Sequence, residues 1–119
     1  MQVIRNDPST PPVSTQPIFT GEVRPRPIVD AAQSGEVRVL LVRFAAGGRN
    51  VFHRHTFDQV LYVTEGEGIV ADQQTEHRVR AGDTVVIPAG EAHWHGATPE
   101  TAMAHLAIGR PGQTTIVEP

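Results

Sequence analysis

The chain has 119 residues, 39% of them apolar and 19% charged, which suffices for one hydrophobic core and excludes a disordered chain. It contains no cysteine, so disulfides, thiolate nucleophiles, zinc–cysteine sites and iron–sulfur clusters are excluded. The net charge is −3 and all ten basic residues are arginine, so there is no general attraction to nucleic acid or anionic membrane, and lysine Schiff-base chemistry is excluded.

Residues 1–17 hold Pro8, Pro11, Pro12 and Pro17 among Ser, Thr and Gln. Proline removes donors and fixes φ, so this stretch is expected to be an extended arm, flexible or exchanged with a partner subunit. The start shows no apolar signal core, and no apolar run approaches the roughly 20 residues of a membrane span. The expectation is a cytoplasmic protein whose single domain covers residues 18–119.

From residue 18 the chain reads as strand, turn, strand. Strands are expected at 36–44, 59–65, 69–71, 75–80, 84–88, 92–96 and 101–108, with a further edge strand near 18–29. Gly66-Glu67-Gly68, Asp72-Gln73-Gln74, Ala81-Gly82-Asp83 and Thr98-Pro99-Glu100 read as turns between them. No window sustains a helical period. Short strands recurring every 8–12 residues with glycine punctuation point to an all-β sandwich or barrel, here a jelly-roll-like barrel of about eight strands.

Of six histidines, five are grouped: His53 with His55, His93 with His95, and His105 beyond. Residues i and i+2 of a strand face the same side, so each pair points together. Neighbouring imidazoles fill a core poorly, because each brings two nitrogens that need partners. A metal satisfies several at once. His77 stands between Glu76 and Arg78 without a partner histidine and reads as solvated surface.

Two longer patterns surround these residues. Gly47-x5-His53-x-His55-x3-Gln59-x6-Gly66 resembles the first cupin motif, with Gln in the place of the commoner Glu. Gly82-x5-Pro88-x-Gly90-x2-His93 resembles the second, with Ala97 at its usual terminal Asn. The resemblance implies a cupin β-barrel, usually dimeric, with one divalent metal on His53, His55, Gln59 and His93. Over roughly residues 18–108, Phe19-Thr20-Gly21, His93-Trp94-His95-Gly96-Ala97 and the run from Thr101 to Ile108 look like the manganese-dependent hydroxynitrile-lyase cupins. That group implies Mn(II) on the same ligands, with His95 and His105 lining the pocket. Asn50 stands where the group has Thr, and Arg54 where it has a small residue.

Three imidazoles and a neutral amide would leave the metal its full charge. Fe, Ni, Co and Zn also accept this donor set. Four protein ligands on an octahedral ion leave two positions for water or substrate, as catalytic sites do. His95 and His105 are candidate acid/base residues, His105 arriving opposite His93 if 92–106 form a hairpin. Leu40, Val42, Phe44, Asn50 and Met103 are the expected pocket residues, and Trp94 is expected to pack outward. The implied function is a metal-dependent enzyme acting on a small oxygenated substrate, in its most specific form a hydroxynitrile lyase. A cupin dioxygenase and a non-enzymatic small-molecule binder are the alternatives. The expected assembly is a homodimer or dimer of dimers, with residues near 18–29 lending an edge strand to a neighbour.

Overall fold

The computed structural model describes residues 1–118, which form eleven strands: β1 (Phe19–Thr20), β2 (Val23–Val29), β3 (Arg38–Phe44), β4 (Arg49–Asn50), β5 (His53–His55), β6 (Gln59–Ala71), β7 (Glu76–Arg80), β8 (Thr84–Ile87), β9 (Trp94–Ala97), β10 (Met103–Gly109) and β11 (Thr114–Ile116). No helix among the described residues is long and apolar enough to cross a membrane.

The architecture follows from β6. Its first half, around Val60 and Tyr62, pairs with β8 on one side and β10 on the other, and β10 continues to β3 and β2. Its second half, Gly68 to Ala71, pairs with β7 and β9, and β9 continues to β4 and β1. Two sheets thus share one strand and fold over a common core. The glycines at 66–68 that read as a turn mark the bend instead. Gly66 has a φ of 73°, and a Cβ there would run into the carbonyl of Ala102. Glycine is needed at this position because the strand both bends and closes on its neighbour.

Alternation supplies the core. Val42 and Phe44 of β3, Leu61 and Val63 of β6, Ile87 of β8 and Met103 and Ala107 of β10 face inward and join Val23, Val70, Val79 and Ala97. Leu61 is fully buried, which stabilises the fold by about 2–3 kcal/mol through the apolar surface removed from water. His77 is exposed, as expected.

Several expectations change. Residues 92–106 are not a hairpin: β9 and β10 do not pair with each other but lie in different sheets, each on β6. The segment 18–29 forms β1 on β4 and β2 on β3, with β2 the outermost strand of its sheet, as expected of an edge strand. Pro25 and Pro27 leave β2 suited to a sheet edge, where missing donors cost little. The proline-rich arm lies along that edge: Ser14 N–H donates to Val23 O at 2.8 Å, Arg24 donates to Pro11 O at 2.7 Å, and Arg26 pairs with Asp7 at 3.0 Å. A strand that the residue pattern did not announce, β11, returns to pair with β5.

Candidate metal centre

His53 and His93 meet because their backbones do. They form an antiparallel bridge in which each N–H donates to the other's carbonyl at 3.0 Å. His55, two residues on along β5, points to the same side. All three are buried. Their ring centroids lie 4.3–5.2 Å apart, and one ligand nitrogen from each falls within 4.8 Å of the others. Arg54, between them, is exposed.

The outer nitrogens are held. His53 Nδ1–H donates to Val51 O at 2.7 Å, and His93 Nδ1–H donates to Glu91 O at 2.8 Å. His55 Nδ1 lies 2.7 Å from the Thr114 hydroxyl, brought there by β11. A carbonyl only accepts, so the proton of His53 and of His93 sits on Nδ1 and the Nε2 lone pair is free. His55 Nε2, His93 Nε2 and Gln59 Oε1 are buried without any hydrogen-bond partner. Such orphans are costly unless something satisfies them. A divalent metal ion at the three-histidine cluster would satisfy the imidazole nitrogens, with Gln59 Oε1 a candidate further donor, and partnering of Nδ1 by carbonyl or hydroxyl is the usual support of a metal-bound histidine. Burial also holds the rings neutral, the form that binds metal: it lowers His53 to about 3 and His55 to about 4, and lowers His93 as well.

Deeper in lies a second pair. His105 Nε2 is 2.9 Å from His95 Nδ1. Asn50 Oδ1 accepts from the His95 backbone N–H at 2.8 Å, and Asn50 Nδ2 is 3.3 Å from His95 Nε2. Burial, followed by the neighbouring histidines, pushes His95 well below its usual value. Burial lowers His105 to about 4. The bend of β6 explains the meeting: His95 pairs beside Val70 in one sheet and His105 beside Val63 in the other.

A cavity of about 430 Å³ opens onto this region, lined by Leu40, Val42, Asn50, His53, His55, Gln59 and His95 among others. His93 and His105 do not line it. Nor do the expected pocket residues Phe44 and Met103, which are 1% and 2% exposed in the core. Phe44 faces inward on the same row as Leu40 and Val42 but lies one step deeper, packed 5.2 Å from the His105 ring. Met103 packs against Gly68, where a Cβ would meet its Cε at 2.7 Å. The cavity also has walls that sequence patterns did not mark, Gln16, Ile18, Val29, Arg38 and Thr114 among them, and Phe57, which flanks the ligand histidines in sequence, lines it as well. Phe57 stacks on His55 at 4.9 Å. Trp94 points away from the site and lies under the Arg49 guanidinium at 3.5 Å.

Comparison with known proteins agrees with this geometry. The chain is 42% identical over 91 residues to (R)-mandelonitrile lyase of Granulicella tundricola, spanning 76% of this chain and 70% of that protein. It is 33% identical over 88 residues to dimethylsulfoniopropionate lyase DddW of Ruegeria pomeroyi, spanning 72% of this chain and 57% of that protein. Among solved structures, a cupin-like protein of Thermotoga maritima superposes with a TM-score of 0.86 at 29% identity, covering 94% of this chain and 89% of the other. The cupin domain pattern itself matches residues 40–109, the stretch from the cavity wall on β3 through both histidine pairs to the end of β10. With the shared-strand barrel and the convergent imidazoles already in place, this match shows that the chain belongs to the cupin family.

Proposed function

We propose that this cupin is a metal-dependent lyase that cleaves and forms a C–C bond at a hydroxynitrile-type carbon. His53, His55, Gln59 and His93 hold its single divalent ion, Mn(II). The observation that carries the reading is the set of orphaned donor atoms His55 Nε2, His93 Nε2 and Gln59 Oε1, of which His55 and Gln59 line the cavity. The likeness to (R)-mandelonitrile lyase supports the reaction. When bound, the metal supplies a Lewis acid for a substrate oxygen, its charge undiminished because every ligand is neutral.

The chain's own residues do the rest. His105 occupies His95 Nδ1, so the proton-exchanging nitrogen is assigned to Nε2, which faces the more weakly held Asn50 Nδ2 at 3.3 Å. Asn50 fixes the His95 peptide and so the direction of the ring. In cleavage, His95 Nε2 takes the hydroxyl proton, the C–C pair leaves with cyanide, and His95 returns the proton to give hydrogen cyanide and an aldehyde. Leu40, Val42, Ile18 and Phe57 provide the apolar wall that excludes water. Tyr62 and Val86, 43% and 66% exposed on the outer face of one sheet, support assembly as a homodimer or dimer of dimers.

The test is release of cyanide from mandelonitrile by manganese-loaded protein. The expected result is turnover that disappears on chelation and in His53→Ala, whose metal content falls sharply. Undiminished turnover in fully demetallated protein, or stoichiometric metal in His53→Ala, would overturn the proposal.

A further inference from the structure

Arg38 opens β3 on the row that continues inward through Leu40 and Val42, and all three line the cavity. Every other residue of a strand shares a face, so Arg38 heads the row that runs to Val42, whose strand partner is His105. About four residues of strand, or roughly 13 Å, separate Arg38 from Val42. The guanidinium is fixed in place: Nη1 donates to Ser34 O at 2.7 Å and to Val37 O at 2.9 Å. These bonds engage one nitrogen and leave the other donors of the fork without a partner among the described residues. Arg38 has no ion pair among the described residues, unlike Arg24, Arg26 and Arg43. The one carboxylate in the cavity wall, Asp30, accepts from Ala32 N–H at 2.8 Å.

We propose that Arg38 is a specificity residue that recognises a carboxylate on the substrate. The molecule it selects has an anionic group at the cavity mouth, an apolar body one ring long against Leu40, Val29 and Phe57, and an oxygen at the histidine cluster. The inference rests on the reading of this cavity as the substrate site. A pre-oriented guanidinium that keeps unused donors matches the flat, two-oxygen geometry of a carboxylate. Arg38 is the one arginine in the cavity lining among the described residues, so it is the feature that separates a charged substrate from a neutral one of the same shape.

Calorimetric titration of the full-length protein, metal-free and manganese-loaded, with 4-formylbenzoate and with benzaldehyde tests this. Wild type is expected to prefer 4-formylbenzoate in both forms. Arg38→Gln, which removes the charge and keeps a polar side chain, is expected to lower that preference about ten- to a hundredfold, the worth of a charge-assisted pair. Arg38→Lys is expected to restore it in part. An unchanged preference in folded Arg38→Gln, or no preference in wild type, refutes the assignment. Cyanide release from neutral mandelonitrile reports on the lyase reading alone, so a protein that discriminates through Arg38 but releases no cyanide refutes the reaction and not the carboxylate site.

Discussion

Thr114 lies 59 positions from His55 in sequence, yet its hydroxyl is the partner of His55 Nδ1 at 2.7 Å. When His55 Nε2 binds a metal, the neutral ring must carry its proton on Nδ1, and that proton needs an acceptor. Thr114→Val keeps the shape of the side chain and removes the acceptor. In the metal-free protein the ring can move its proton to Nε2, so the loss falls on the metal-bound state. Support of this kind is worth about 10–100-fold in metal affinity. Thr114 is itself exposed, so water can partly replace the hydroxyl, and the effect belongs at the lower end, about tenfold or 1.4 kcal/mol. Competition between the protein and a chelator for Mn(II) measures it. Thr115→Val is the control, since Thr115 pairs beside the outward Arg54. A folded Thr114→Val variant with wild-type manganese affinity would refute the argument that β11 supports the site.

The metal-free protein is expected to lose stability on acidification. His53 is held to about 3 and His55 and His105 to about 4, against 6.5 for a free ring. Below about pH 6.5 the unfolded chain therefore binds protons that the folded chain refuses, so stability is intact above that pH and falls as the pH drops towards 4, by up to about 1.4 kcal/mol per unit for each ring. Urea unfolding at about pH 7.5 and about pH 5 reads this, and an equal midpoint at both contradicts it. Gln59→Glu places a negative charge on the metal, so manganese should leave more slowly to a chelator while cyanide release slows with the weakened Lewis acid. Faster metal loss from the folded variant would show that Gln59 does not face the ion.

The parts of the molecule that were legible in sequence are those where spacing equals geometry. His53 and His55 share a face because they are two apart on a strand, and the glycine and proline positions of the two motifs report turns around them. Spacing failed where pairing decides. Gly66 and Gly68 look like a turn, but β6 has partners on both sides and stays continuous through them. The chain from 92 to 106 looks like a hairpin, but each arm finds a better neighbour in β6. Phe44 and Met103 alternate correctly inward, and period alone does not say how deep along the barrel a side chain lies. The strand β11 is exposed along its whole length, with Thr, Thr and Ile and no alternation, so nothing local sets it apart from a loop. Arg38 was equally silent, since its role depends on the absence of a partner.

The thirteen residues of β6 have a consequence for fidelity of assembly. In an ordinary two-sheet protein each sheet finds its own register, and either can slip by one residue without informing the other. Here one strand is common to both. A slip of one position would turn Gln59, Leu61 and Val63 outward in the first sheet and displace Val70 from its place beside His95 in the second. Misalignment anywhere along the strand is thereby penalised twice, once in the apolar core and once at the imidazoles. The chain has a single alignment to find, and reaching it sets the chemical groups in place together with the barrel.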